Sequence, residues 1–172
     1  MSDVAATPRE HKAHAPRSVG CWVVTISDTK TPETDTSGAL IRELLSAAGH
    51  HVVGATIVRD EPAEVQRVVR EAGKDERVQA VILTGGTGIT SRDSTFEAIE
   101  ALLDKRLPGF GELFRMLSYQ EIGAAAMLSR AQLGIHARRI VVSLPGSPQA
   151  CRLALDKLLI PELSHLVREV SR

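Results

Sequence analysis

The chain has 172 residues, 43% of them hydrophobic and 24% charged, which fits one globular domain and leaves little room for a second. Lys plus Arg and Asp plus Glu each number 21, so no net charge draws the chain toward nucleic acid or an anionic membrane. No apolar run approaches the roughly 20 residues of a membrane span, and with aromatics at 3% the core must be filled by Ala, Val, Leu and Ile.

Residues 1–17 are polar, mixed in charge and free of the apolar stretch of a secretory signal. They read as a disordered tail ahead of one domain over 18–172, in a cytoplasmic protein. The first β-branched run, 21–26, predicts a strand. Leu40, Ile41, Leu44, Leu45 and Ala48 then form a helical stripe that ends at Gly49 in a C-cap position. His50 and His51 follow this helix end, where a cation suits the dipole and a structural role is expected. A second strand is predicted over 52–58. Pro62 opens a helix carrying Val65, Val68, Val69 and Ala72, and 78–83 predicts a third strand. Ser94 with Glu97 makes a capping box ahead of Ile99, Leu102 and Leu103. Phe110, Leu113, Phe114 and Leu117 form another stripe. The Ala-rich stretch 118–135 reads as helical in pieces and as a candidate oligomer surface. A fourth strand is expected over 139–144. Ser147 and Pro148 start a last helix, which Pro161 should bend or break.

The four strands look buried on both faces of a parallel sheet, and their alternation with helices predicts crossover units in a doubly wound α/β fold. Cys21 and Cys151 lack CxxC spacing and a nearby histidine, so both read as reduced core thiols.

Ligands of open parallel sheets bind beyond the carboxyl ends of the strands. That rule selects residues 27–37, 59–61, 84–93 and 145–148. Thr84, Gly85, Gly86, Thr87 and Gly88 form a glycine-rich loop in which backbone amides can approach a phosphate, with a helix start close behind. No Lys-Ser or Lys-Thr follows, so it is not a P-loop, and a tight strand-to-helix turn is the plainer alternative. Asp60 and Asp93 could each serve a helix start; as a pair at one sheet edge they suit Mg²⁺ held among phosphates. Pro145, Gly146, Ser147 and Pro148 make a stiff turn in which Gly146 permits an unusual backbone angle beside a ligand, or a simple helix entry. Ser27 and Asp28 begin a polar loop, reaching Ser37 and Gly38, that is long enough to fold over a ligand.

The motifs TIS (25–27), DTSG (35–38), TGGTG (84–88), Arg92-Asp93, GFGELFRMLS (109–118) and PGSP (145–148) together resemble the MoaB/Mog family of molybdenum cofactor biosynthesis proteins, in order over about 19–170. The segment GFGELFRMLSYQEIG points to the MoaB branch. The resemblance implies a single-domain, three-layer α/β/α sandwich with a mostly parallel central sheet. It implies binding of molybdopterin, a pterin dithiolene with a terminal phosphate, and transfer of AMP from Mg-ATP to that phosphate with release of pyrophosphate. Asp60 and Asp93 match the acidic residues that support Mg²⁺ and adenylyl transfer. Thr84, Gly85, Gly86, Thr87 and Gly88 match the phosphate loop, and Pro145, Gly146, Ser147 and Pro148 the loop near nucleotide and pterin. Ser27, Asp28, Ser37 and Gly38 are further candidate contacts. Self-association as a trimer or hexamer is implied, with other proteins of the pathway as possible partners and neither nucleic acid nor membrane. Two departures, Asp93-Ser94-Thr95-Phe96 without a nearby proline and Ser147 in place of a frequent Asn, leave a non-catalytic pterin-binding or carrier protein as the alternative.

Overall fold

The computed structural model describes residues 15–172, so most of the expected tail lies outside the described residues. The elements in chain order are β1 (Gly20–Ile26), α1 (Thr36–Ala47), β2 (His51–Val58), α2 (Pro62–Ala72), β3 (Ala80–Thr84), α3 (Thr95–Glu100), β4 (Lys105–Arg106) and α4 (Pro108–Ile122). A 3₁₀ segment (Gly123–Leu128), β5 (Gln132–His136), β6 (Arg139–Leu144), α5 (Pro148–Ala154), a π turn (Leu155–Leu159) and α6 (Ile160–Ser171) complete the chain. One six-stranded sheet has the order β2-β1-β3-β6-β5-β4. The four predicted strands pair in parallel, while β5 and β4 are antiparallel.

Alternation along the strands divides the interior into two layers. Cys21, Val23, Ala80, Ile82, Ile140 and Val142 face α1, α4, the π turn and α6, with Ile41, Phe114, Leu155 and Leu163 among their partners. Val24, Val81, Leu83 and Val141 face α2 and α3, meeting Val65, Val69 and Ile99. The fold is therefore a three-layer α/β/α sandwich. As expected, Gly49 follows the end of α1 at φ +84, where the left-handed conformation suits glycine.

Several details differ from the sequence reading. β2 is an edge strand with Ala55 exposed, so it is not buried on both faces. Part of the 118–135 stretch is β5, which returns to β6 through Ala137 and Arg138 at φ 46 and 61. Both turn residues are left-handed, as a two-residue hairpin turn requires, but neither is the Asn or Gly that announces one. The capping box does not form: Ser94 makes no side-chain cap bond, its hydroxyl donates to Asp60 instead, and Glu97 pairs with Arg130. Pro161 does not end the helix. It lacks an amide hydrogen and crowds the preceding turn, and the chain accommodates it with the π turn before continuing as α6. His50 is no cation at a helix end; its Nδ1 accepts the Val19 amide at 3.2 Å, and burial lowers its pKa.

Candidate functional site

β1 leads through α1 to β2 on one side, while β3 lies on the other, so the topological switch point falls between β1 and β3. The four segments chosen by the sheet-edge rule meet there. Thr25 and Thr84, last inward residues of β1 and β3, turn their hydroxyls to this edge. Thr25 Oγ1 donates to Asp35 Oδ2 at 2.7 Å, and Asp35 Oδ1 accepts the Gly38 amide at 2.9 Å, capping α1. Thr84 Oγ1 donates to the Pro145 carbonyl at 2.9 Å. Ser37 Oγ donates to the Gly146 carbonyl at 2.7 Å, tying the first loop to the last. Ser147 caps α5 by accepting the Ala150 amide at 3.2 Å, and Pro148 opens that helix beside Thr36 and Arg152 on a shallow hollow.

The glycine loop is shaped by protein contacts on every side that a side chain would point. Gly85 and Gly86 have φ +104 and +65. A Cβ at Gly85 would stand 2.3 Å from the Ile26 carbonyl, one at Gly86 2.1 Å from Thr95 Oγ1 and 2.5 Å from Asp60 Oδ2, and one at Gly88 2.6 Å from Asp93 Oδ2. These glycines are therefore required by the loop's own fold, rather than by room left for a ligand. Gly146, by contrast, does not adopt the unusual backbone angle expected of it, and a Cβ there would make only an ordinary contact, 3.5 Å from Gly85 Cα.

Asp60 and Asp93 thus flank the same loop, one against Gly86 and one against Gly88. Asp60 is buried, and its Oδ1 accepts from Ser94 Oγ at 2.8 Å and from Ser94 N and Thr95 Oγ1 at 3.3 Å, holding the start of α3. Asp93 Oδ2 accepts the amide and hydroxyl of Thr90 at 2.9 and 2.5 Å. These bonds from Thr90 hold its pKa below the usual carboxylate range, with Arg130 adding a smaller pull. Asp28 Oδ1 accepts the Asp60 amide at 3.3 Å, while Asp28 Oδ2 pairs with Arg92 at 2.9 Å; Arg92 also reaches Glu61 at 2.9 Å. Ser27, Asp28 and Gly38 line a cleft of about 630 Å³ that also receives Lys30, Arg42 and Arg59. Asp28 and Asp35 share its walls with these three cations. The cleft is lined from β1, β2, α1 and the loop between β1 and α1, with none of 84–88, Asp60, Asp93 or 145–148 among its lining residues.

Among the described residues, no group of three or more His, Cys, Asp or Glu side chains could hold a metal. Two carboxylates with spare oxygens fit Mg²⁺ that arrives with a phosphate ligand, because that ion keeps water and phosphate oxygens in most of its shell. They do not make a cage for a resident ion.

Two contributors were not singled out by the sequence reading of the site, Asp35 having been quoted only within the motif DTSG. Asp35 carried a visible signal, an Asx residue three positions before a helix-facing Gly38. Arg130 carried none. It reaches the glycine loop from just before β5, donating to the Thr87 carbonyl at 3.0 Å and to the Gly88 carbonyl, pairing with Glu97, and stacking 5.0 Å over Phe96.

Fold and site together define a doubly wound α/β protein with a glycine loop and two carboxylates at its switch point. Residues 22–165 match the family model described as "Probable molybdopterin binding domain". Molybdenum cofactor biosynthesis protein B of Bacillus cereus is 54% identical over 164 residues, spanning 95% of this chain and 97% of that one. A crystal structure of a molybdenum cofactor biosynthesis protein B superposes with a TM-score of 0.89 at 54% identity, covering 92% of this chain and 99% of the other. The tungsten cofactor synthesizing protein MoaB from Pyrococcus furiosus superposes with a TM-score of 0.81 at 41% identity, covering 92% and 100%. The chain belongs to the MoaB/Mog family of molybdenum cofactor biosynthesis proteins, in its MoaB branch.

Proposed function

We propose that the chain binds molybdopterin at the β1–β3 switch point and transfers AMP from Mg-ATP to its terminal phosphate. The observation that carries this reading is the convergence of two carboxylates, Asp60 and Asp93, on one glycine loop at the carboxyl edge of the sheet. A pterin phosphate oxygen attacks the α-phosphorus of ATP; the new P–O bond forms as the bond to pyrophosphate breaks, and pyrophosphate leaves. No covalent enzyme intermediate is involved, so positioning and electrostatics carry the rate. Asp93, its carboxylate favoured by the bonds from Thr90, and Asp60 would hold Mg²⁺ that arrives with ATP, which would supply neutralisation of charge on the phosphates. Lys30, Arg42 and Arg59 outnumber Asp28 and Asp35 in the cleft on the β1–β2 side and favour an anion there.

The test is pyrophosphate release from Mg-ATP and molybdopterin, with pterin binding measured in parallel. Asp60→Asn and Asp93→Asn keep oxygens able to accept hydrogen bonds but lose the charge, so transfer should fall at least about a hundredfold while pterin binding persists. Undiminished transfer in both variants defeats the catalytic assignment. A second reading, a non-catalytic pterin-binding or carrier protein, is favoured by the three donors that occupy Asp60 Oδ1 as a structural anchor. It predicts binding without pyrophosphate in the parent protein.

We also propose self-association through α4 and the 3₁₀ segment. Leu113, Met116, Tyr119, Ile122, Met127 and Leu128 are exposed there, six large apolar side chains within one stretch. A trimer or a pair of trimers is the expected assembly, and any other pathway protein would have to compete for this face or dock elsewhere.

A further inference from the structure

At the opposite end of the sheet a cavity of about 220 Å³ opens between the last turn of α2 and the β5–β6 hairpin. Val69, Gly73, Val81 and Val141 form apolar walls, and Arg70, Lys74, His136 and Arg139 surround the opening. Two buried nitrogens, Arg139 Nε and His136 Nδ1, have no hydrogen-bond partner among the described residues.

Among the described residues, Asp104 alone comes within ion-pair distance of this cluster, and only of His136. Glu71 is paired with Arg67, and Asp75 with Arg77. Asp104 Oδ2 stands 4.0 Å from His136 Nδ1, beyond hydrogen-bond range, and accepts the Ala137 amide at 2.7 Å. Among the described residues Arg70 reaches only the neutral Gln66, at 3.4 Å. Cations do suit the C-terminal pole of α2, but the carbonyls of Val69 and Glu71 already accept the amides of Gly73 and Lys74. An orphaned guanidinium N–H in such a wall is costly and calls for an acceptor from outside.

We propose that this cavity is a binding site for a small tetrahedral oxyanion of the phosphate or sulfate class. Its volume decides the size of the ligand. Sites for drug-sized or nucleotide-sized molecules begin near about 300 Å³, so this one suits an inorganic anion. It is separate from the switch point: Arg139 opens β6 and Leu144 ends it, a run of about 17 Å. An anion here would bridge α2 to the hairpin, taking charge-assisted bonds from Lys74, Arg70 and the guanidinium of Arg139.

The experiment is a titration of the full chain with sodium phosphate at fixed pH, followed by the ring NMR signals of His136 and matched in ionic strength by sodium chloride. The signals are assigned with His136→Gln. A saturable shift at His136 is expected with phosphate, with sulfate competing and chloride inert. Lys74→Gln and Arg139→Gln should each weaken binding about tenfold or more. A shift that does not saturate, one that chloride reproduces, or unchanged affinity in Lys74→Gln overturns the proposal. Lys74 is exposed, so its variant remains decisive if Arg139→Gln fails to fold.

Discussion

Single residues at the switch point carry strain and contact that composition alone does not reveal. Gly86→Ala would place a methyl 2.1 Å from Thr95 Oγ1 at φ +65, so a loss of about 3 kcal/mol is expected from left-handed strain and overpacking together. Gly146→Ala meets nothing nearer than 3.5 Å and has no left-handed angle; its urea midpoint should stay close to that of the parent. Equal midpoints for the two variants would refute this account of the loop. The cysteines make the opposite case. Burial pushes the Cys21 thiol up to about 12 and the Cys151 thiol up to about 11, although Cys151 lies 3.2 Å from Thr84 Oγ1, directly under the glycine loop. Both should resist a thiol reagent until the chain unfolds, because the thiolate is the reactive form. Rapid labelling of the native protein would show that the core opens beside the site.

Among the elements, α1 shows how packing reverses propensity. Alanine favours a helix over glycine by about 1 kcal/mol, yet a Cβ at Gly38 would stand 2.2 Å from Asp35 Oδ2 and 2.5 Å from Thr25 Oγ1. Gly38→Ala should therefore break the cap and destabilise the protein, and a raised urea midpoint would contradict this. At the other end of α1, neutral His50 accepts the Val19 amide, with its pKa lowered by burial. Above about pH 6.5, the ordinary histidine value, the ring is neutral whether folded or not, and this bond contributes fully. As pH falls the unfolded chain takes the proton first, so stability declines until the folded ring is protonated too. His50→Gln should flatten that decline, measured by urea midpoints at a series of pH values between neutral and mildly acid. Parallel curves for parent and variant would remove His50 from the acid response. The elements that were legible in the sequence share a physical reason. The strands of the parallel ladder are continuous β-branched runs, and Gly49, Pro62 and Ser147 act locally at helix ends. β5 was hidden because Gly134 interrupts its alternation, and that glycine is needed where a Cβ would strike the Lys105 carbonyl at 2.5 Å. The site was legible as loops at one edge. Arg130 was not, since its partners Thr87, Gly88 and Glu97 lie more than thirty positions away and leave no local pattern.

In the whole molecule, two ends of one sheet carry different chemistry. The carboxyl edge gathers the glycine loop and both carboxylates, and none of the helices among the described residues is long and apolar enough to cross a membrane. The exposed apolar side chains of α4 and the 3₁₀ segment carry the self-association proposed above. Met127→Lys and Tyr119→Glu together should shift sedimentation from a trimer or hexamer toward a monomer. An unchanged assembly would place the contact elsewhere. β2 has a different consequence, for the chain's fate before it is folded. Its eight residues, HVVGATIV, carry no Asp, Glu, Lys or Arg and lie at the free margin of the sheet. Half of their backbone groups face outward, a template on which another chain can add a strand. The register slip between Cys21 and Trp22, where the Trp22 ring packs against Gly54, bends this margin locally and is the fold's own protection. Refolding from urea at high concentration should accordingly pass through turbidity, and a charge at the exposed Ala55, as in Ala55→Lys, should suppress it. Equal turbidity in the two chains would mean that clumping starts from some other surface.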